Sequence, residues 1–154
     1  HRIIIPLYMN GVLMSYVGRD VTGRATIRYK AVPIDQCIRD PKSMIYHIDH
    51  AHDKLILVEG ATDVWRIGKG CGASMGAALT PAQITQIIQK KFSRIFILYD
   101  NDATGVAEGE KIGALLSQYV DVEILYLPEG TQDPGELTSD DVKVLRKQVF
   151  GKIY

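Results

Sequence analysis

The chain contains little cysteine and no excess of charge of either sign. Its 154 residues include two cysteines, Cys37 and Cys71, which lie far apart and form no Cys-x-x-Cys pair. The sequence therefore indicates neither a disulfide scaffold nor a cysteine-based zinc site, and we expect a reducing, cytoplasmic environment. Lys and Arg together number 18, as do Asp and Glu, so the formal net charge is zero. This balance argues against a histone-like or membrane-surface protein, although it allows a local basic patch.

Long apolar runs are also absent from the sequence. No run approaches the roughly 18 residues that a membrane-spanning helix needs, so we expect no membrane partner. Apolar residues make up 46% of the chain and charged residues 23%, a composition that excludes disordered, collagen-like and coiled-coil proteins. The length predicts one globular domain with a small appended subdomain. The chain begins with His1 rather than methionine, which favours a piece excised from a longer protein.

The first third of the sequence is typical of a small antiparallel β-sheet. Apolar residues 2–8, the turn Asn10-Gly11 and apolar residues 12–17 predict a hairpin, and the alternating residues 25–30 predict a third strand. Residues 1–35 carry five basic and two acidic side chains, a net charge of +3. We therefore expect a basic antiparallel β subdomain, with a linker, over residues 1–53.

From Leu55 onward the pattern changes to strands that are buried on both faces. Residues 55–58, 95–99 and 122–127 are nearly uninterrupted apolar runs, which are typical of a parallel sheet. Helices are predicted after the N-cap Thr80, over residues 106–119 and over residues 139–150. This order predicts a mostly parallel α/β sheet flanked by helices over residues 54–137, followed by a C-terminal helix within residues 138–154.

Acidic residues follow each of the three predicted parallel strands. Glu59 follows the first strand, Asp100 and Asp102 follow the second, and Asp133 follows the third. Because open sheets bind ligands at the carboxyl ends of their strands, we expect these carboxylates to converge. Two like charges 4 Å apart repel by about 4 kcal/mol at an effective dielectric near 20, so the cluster would take up protons or bind a cation. Oxygen ligands favour Mg²⁺ or Mn²⁺, which indicates phosphoryl chemistry.

Two motifs at these strand ends resemble the signature of the Toprim family, which bacterial-type primases, topoisomerases and some nucleases share. They are Val58-Glu59-Gly60-x-x-Asp63 and Tyr99-Asp100-Asn101-Asp102-Ala103-Thr104-Gly105. Three further groups resemble primases in particular: Gly76-x-x-Leu79-Thr80, Leu127-Pro128-Glu129-Gly130 leading into Asp133-Pro134, and an amino-terminal set. That set comprises Ile4-Ile5-Pro6-Leu7-Tyr8, Asn10-Gly11, Gly18-Arg19-Asp20 and Arg28-Tyr29-Lys30. It resembles the basic subdomain that precedes Toprim in bacteriophage, plasmid and bacterial primases, so the resemblance covers residues 1–137.

The resemblance implies a role for each of the residues that match. Glu59 would act as general base or acid and help to hold metal. Asp100 and Asp102 would bind Mg²⁺ (or Mn²⁺), with Asp133 assisting. The cationic residues Arg19, Arg28 and Lys30 would meet nucleotide phosphates or the template-primer backbone. The chain departs from the family at Gly135, where the second aspartate of an Asp-Pro-Asp motif is common; the departure implies either a more weakly held second metal or a substitution by Glu136.

As a primase, the chain would be a catalytic-core fragment that makes RNA primers from nucleoside triphosphates on a single-stranded DNA template. The resemblance also implies a replicative helicase as partner, through regions outside the chain, in phage, plasmid or chromosomal replication. The sequence has neither the zinc-binding segment nor most of the helical region expected of primases, which leaves open whether the fragment alone is active. Three alternatives stay open: a Toprim-type nuclease or topoisomerase fragment, a non-catalytic nucleic-acid-binding module, and a haloacid-dehalogenase-type phosphohydrolase, whose nucleophile loop resembles Asp100-x-Asp102-x-Thr104.

Overall fold

The computed structural model describes residues 1–151, which form two β-sheets and four α-helices. The strands are β1 (Arg2–Met9), β2 (Val12–Asp20), β3 (Tyr29–Ala31), β4 (Lys54–Val58), β5 (Cys71–Ala73), β6 (Arg94–Ile97) and β7 (Asp121–Ile124). The helices are α1 (Ala61–Ile67), α2 (Pro81–Gln89), α3 (Ala103–Leu116) and α4 (Ser139–Phe150). Residues 152–154, the end of the predicted C-terminal segment, lie outside the described residues. Within the described part, no helix is long and apolar enough to cross a membrane.

The predicted fold class is confirmed. Strands β1, β2 and β3 form an antiparallel sheet, and the second sheet has the order β5-β4-β6-β7 with every neighbouring pair parallel. Alternate residues of the central strands enter different cores: Leu55 and Ile95 pack with helices α2 and α3, whereas Ile56 and Phe96 pack with α1 and α4. Burial on both faces explains why these strands are almost continuously apolar.

Two elements between the first two parallel strands were not predicted. Helix α1 and strand β5 lie between β4 and α2, where we expected a single helix. Residues 68–73 include three glycines and only three of the residues form a strand, so the sequence carries no strand pattern there. Strand β5 forms because the edge of β4 pairs with it from Ile56 to Val58.

The predicted bounds of several other elements were wrong. Strand β2 extends to Asp20 rather than residue 17, and β6 ends at Ile97 rather than residue 99. Strand β3 spans Tyr29–Ala31 rather than residues 25–30. The guanidinium of Arg2 donates hydrogen bonds to the carbonyls of Ile27 and Arg28, which are therefore not available to a neighbouring strand. Helix α3 begins at Ala103, three residues early, because Asp102 caps it, and it ends at Leu116. Strand β7 ends at Ile124 rather than at residue 127.

The antiparallel sheet is tied to the parallel sheet at two places. Leu7, Val17 and Met44 form a small core, against which Tyr29 and Met75 also pack. At the hairpin tip, the backbone N–H of Asn10 donates to the Asp49 carboxylate at 2.6 Å, and that carboxylate also pairs with Lys90 at 2.6 Å. With the two sheets joined in this way, Arg28 and Tyr29 line a cleft with Asp100 and Asp133 at the carboxyl end of the parallel sheet.

Candidate metal centre

Three aspartates from different elements converge at the carboxyl end of the parallel sheet. Asp63, Asp100 and Asp133 each offer a carboxylate oxygen, and these oxygens lie within 4.8 Å of one another. They line a cleft of about 180 Å³ together with Glu59 and Arg28. The convergence that the strand ends predicted is therefore present for Glu59, Asp100 and Asp133.

Asp63 is held in the cluster by the start of helix α1. It lies in the first helical turn and is 3% exposed. The backbone N–H of Gly60, the N-cap residue, donates to its Oδ2 at 2.8 Å. This bond fixes one carboxylate oxygen. The other oxygen, Oδ1, lies beside Gly135 together with Oδ1 of Asp133: a β-carbon on Gly135 would be 3.4 Å from the first and 2.8 Å from the second.

Asp133 is positioned by the short turn that it begins. Its Oδ1 accepts a hydrogen bond from the backbone N–H of Gly135 at 2.5 Å, and Arg66 of helix α1 donates to the Gly135 carbonyl at 3.1 Å. Gly135, where the family commonly has aspartate, sits so close to Asp133 that any β-carbon there would require a shift. Glu136 is turned to its own loop, because its carboxylate accepts from the backbone N–H of Gln132 at 3.1 Å.

Asp100 follows strand β6, and the start of helix α3 approaches its backbone closely. A β-carbon on Gly105 would be 2.3 Å from the Asp100 carbonyl oxygen, a separation that no side chain tolerates without moving the backbone. Glycine at position 105 therefore sets where helix α3 can lie relative to Asp100.

Substitution of Gly105 by alanine is expected to lower the free energy of unfolding by about 1–3 kcal/mol, the usual cost of overpacking, and to weaken binding of Mn²⁺ by displacing Asp100. Denaturant unfolding and Mn²⁺ calorimetry measure the two effects. Gly109→Ala in the same helix is the matched control, since its nearest neighbour, Ile97, would be 3.6 Å away and alanine favours the helix by up to about 1 kcal/mol. Equal stabilities of the two variants would contradict the close-approach argument.

Burial and mutual repulsion raise the pKa values of the clustered carboxyls. Burial, reinforced by Asp100, raises the pKa of Glu59 to about 7. Burial raises the pKa of Asp63 to about 7, with contributions from the charge of Asp133 and from a hydrogen bond between the two carboxyls. Burial and the charge of Asp133 raise the pKa of Asp100 to about 6, although the nearby Arg28 acts in the opposite direction. Near neutral pH, Glu59 and Asp63 are therefore partly protonated, whereas Asp100 is mostly ionised, and a bound cation would displace the remaining protons.

The aspartate cluster fits a hard divalent cation. Two oxygens bound to one octahedral Mg²⁺ at 2.0–2.1 Å lie about 3 Å apart at neighbouring positions and about 4.2 Å apart at opposite positions, so oxygens that lie within 4.8 Å of one another can share an ion once they move together by up to about 2 Å. All the donors are carboxylate oxygens, which favour Mg²⁺ or Mn²⁺ over zinc. Asp63, Asp100 and Asp133 are the residues that would hold the ion.

The other predicted site residues lie around this cluster in different ways. Asp102 is exposed, and its Oδ1 caps helix α3 by accepting from the Gly105 N–H at 2.7 Å. Arg28 lines the carboxylate cleft. The guanidinium of Arg19 lies 5.5 Å from the centre of the Tyr29 ring. Lys30 follows Tyr29 in strand β3 and pairs with Gly18, whereas Tyr29 pairs with Arg19. Because successive side chains of a strand alternate between faces, Lys30 points to the opposite face of the antiparallel sheet from Tyr29 and Arg19.

Asp63 was part of a motif in the sequence but was not predicted as a metal ligand. It lies in the first turn of helix α1 and not directly after a strand, so the prediction from strand ends did not include it. A usable signal was present: an acid at the third position of a helix that begins with glycine binds the N-cap N–H and faces the preceding strand end.

Comparison with known proteins gives matches along most of the chain. A family model described as Toprim-like matches residues 56–138. The chain is 29% identical over 151 residues to the DNA primase of Aquifex aeolicus (strain VF5), covering 90% of the chain and 30% of that protein. It is 26% identical over 167 residues to the DNA primase of Listeria monocytogenes, covering 100% of the chain and 26% of that protein. The chain therefore spans less than a third of the length of either relative.

A solved structure is similar to both sheets together. The crystal structure of the Aquifex aeolicus primase, comprising its zinc-binding and RNA polymerase domains, matches with a TM-score of 0.80 and 28% sequence identity. The match covers 97% of this chain and 40% of that chain. Since it covers almost the whole chain, the antiparallel sheet and the α/β unit both have counterparts in that structure.

Proposed function

The chain belongs to the Toprim-like family, and on that premise we propose that it is the part of a DNA primase that carries out metal-dependent nucleotidyl transfer. The observation that carries the proposal is the cleft in which the basic antiparallel sheet meets the acidic end of the parallel sheet. Arg28 comes from the loop that leads into β3 of the first sheet, and Asp63, Asp100 and Asp133 lie at the end of the second. A nucleotide needs both kinds of group, because a divalent cation and a fixed cation share the charge of its phosphates.

In the proposed reaction, the 3′-hydroxyl of one nucleotide attacks the α-phosphate of a nucleoside triphosphate, and the bond to pyrophosphate breaks. A divalent cation bound by the aspartates would stabilise the attacking and leaving oxygens. Glu59 lines the same cleft, and its pKa of about 7 suits a group that takes a proton from the attacking hydroxyl near neutral pH. We propose Glu59 as the general base.

The cationic residues of the antiparallel sheet divide between two surfaces in this proposal. Arg28, in the cleft, would contact the triphosphate, and Arg19 would support Tyr29 from one side of its ring. Lys30, on the opposite face, is free to contact the backbone of a single-stranded DNA template. The named relatives favour a primase over the nuclease, topoisomerase and phosphohydrolase alternatives, because both are DNA primases.

Calorimetric titration of the Mn²⁺-loaded chain with a nucleoside triphosphate tests the proposal. We expect binding that EDTA abolishes and that Arg28→Ala weakens about tenfold, as the loss of a charge-assisted hydrogen bond does. Arg24→Ala is the matched control, since Arg24 is exposed on the same loop and does not line the cleft. Nucleotide binding that persists without a divalent cation, or that both variants weaken equally, would rule the proposal out.

A further inference from the structure

Basic side chains collect at the end of the parallel sheet that lies opposite the aspartate cluster. The described residues form a cleft of about 500 Å³ there, at the amino ends of β4 and β5. We call it the basic cleft, because three cations line it, Lys54, Lys69 and Arg146, together with His52 and one acid, Asp53. The two ends of the sheet therefore carry opposite charge, although the net charge of the chain is zero.

The cations of the basic cleft have no carboxylate partner among the described residues. In that part of the chain, the basic residues that form ion pairs are Lys90, Arg94, Lys111 and Lys143. Lys54 donates instead to the Val149 carbonyl at 2.8 Å. Arg146 donates to the carbonyls of Ile67 and Lys69 at 3.0 and 2.7 Å. These bonds hold the cations in place without neutralising them, so their charge is available to an anion.

Helix α1 connects the carboxylate cleft with the basic cleft along its exposed side. Thr62 lines the carboxylate cleft, and Trp65 and Arg66 lie three and four residues further along, on the same side of the helix. Both are exposed, and Lys69, which follows the helix, lines the basic cleft. The two clefts lie about 17 Å apart, because the five residues of β4 run between them and each rises about 3.3 Å.

Trp65 offers an aromatic ring that is held in place and half exposed. Its indole N–H donates to the Tyr46 hydroxyl at 2.9 Å, which fixes the ring by its edge, because this N–H lies in the plane of the ring. The ring is 48% exposed. Within the described residues, the aromatic and cation–π pairs all involve other rings. Such a ring is suited to stacking on a nucleic-acid base.

We propose that the exposed side of α1 and the basic cleft bind single-stranded DNA, with a base stacked on Trp65 and phosphates against Arg66 and Lys69. The inference rests on the proposed function, because the strand would be the template that extends from the carboxylate cleft. A path of about 17 Å accommodates about five stacked nucleotides at 3.4 Å each. The charge of the surface is complementary to DNA, and the ring favours a single strand, whose bases are open to stacking.

Trp65 is the only tryptophan of the chain, so its fluorescence reports on this surface directly. We expect a thymidine oligonucleotide of about 12 nucleotides to quench this fluorescence in EDTA, where no metal is bound. Trp65→Ala should bind the labelled oligonucleotide about tenfold more weakly, as the loss of one stacked base does. Tyr119→Ala removes an exposed ring beyond α3, on the other face of the parallel sheet, and should leave the affinity unchanged.

The salt dependence of binding tests the phosphate contacts separately from the stacking. Lys69→Ala should reduce the slope of log affinity against log salt concentration by about 0.7, the value for one phosphate contact to a single strand. Lys111→Ala makes the same change of charge on helix α3 and should leave the slope as in the wild type. Equal slopes for the wild type and Lys69→Ala would overturn the proposed path.

Two further results would overturn the stacking on Trp65: oligonucleotide binding that leaves the fluorescence unchanged, and equally tight binding of a duplex of the same length. Neither result would affect the metal centre, because Mn²⁺-dependent binding of a nucleoside triphosphate tests that site independently. Conversely, quenching by the oligonucleotide in a chain that fails to bind the triphosphate would support the DNA surface while ruling out the proposed function.

Discussion

Replacing Asp63 by asparagine is expected to lower the affinity of the chain for Mn²⁺ by more than about 100-fold. A unit charge 4 Å from another contributes about 4 kcal/mol at an effective dielectric near 20, and a divalent ion doubles that contribution. Asparagine has nearly the same shape and retains an oxygen that can accept the hydrogen bond from Gly60. The substitution therefore removes the charge and keeps the start of helix α1 intact.

Asp102→Asn is the matched control for this measurement. Asparagine caps helices about as well as aspartate, so the bond to the Gly105 N–H is retained and only the charge is lost. Asp102 lies outside the three-aspartate cluster, and we expect its replacement to weaken the first bound Mn²⁺ by less than about tenfold. Calorimetric titrations of both variants decide the matter: equal losses of affinity would show that the cluster of Asp63, Asp100 and Asp133 is not the first cation site.

Asp63→Asn, which is expected to weaken metal binding, is expected to stabilise the metal-free protein. The unfolded carboxyls titrate near pH 4, whereas Glu59 and Asp63 titrate at about 7 and Asp100 at about 6 in the folded chain. The folded state therefore binds more protons between these values, and its free energy of unfolding declines as the pH rises from about 4 to about 7. Thermal melts in EDTA should show this decline in stability in the wild type and a smaller decline in Asp63→Asn. At pH 8 the Asp63→Asn variant should be more stable than the wild type.

Replacing Glu59 by glutamine is expected to reduce primer synthesis by the complete protein by about 10²- to 10⁴-fold, the usual contribution of a general base. The assay is dinucleotide formation on single-stranded DNA at saturating Mg²⁺. In the wild type the rate should rise with pH as Glu59 loses its proton, because the protonated carboxyl cannot accept one; since a bound cation offsets the charges of Asp100 and Asp133, the rise should lie below the metal-free pKa of about 7. The residual activity of Glu59→Gln should lack this rise.

Two controls separate a loss of the base from a loss of structure. Glu110→Gln makes the same chemical change at an exposed position of helix α3 and should leave the rate unchanged. Mn²⁺ binding by Glu59→Gln should fall by less than about tenfold, since Glu59 is not one of the three clustered aspartates. If Glu59→Gln kept a tenth or more of the wild-type rate, another group would have to be the base.

Several elements could be predicted from the sequence because their signals are local. Thr80, Pro81 and Gln83 form the capping box that begins helix α2, and all three act as the sequence indicated. Helix α4 has the predicted bounds, with Thr138 as its N-cap. Elements whose formation depends on a partner were missed: strand β5 exists only through its pairing with β4, and residues 25–28 are kept out of a strand by the guanidinium of Arg2.

The acidic edge of the parallel sheet could be predicted from the sequence, because buried apolar runs followed by Glu59, Asp100 and Asp133 allow few other arrangements. The set of carboxylates that share a site could not be predicted in this way and depends on how the helices pack. Asp63 enters the cluster because helix α1 turns back over the end of β4, and Asp102 is used by helix α3 as its cap. The physical reason is that a side chain's position depends on where its helix begins and what it packs against, and distances between elements that lie far apart in the chain appear only when those elements have packed.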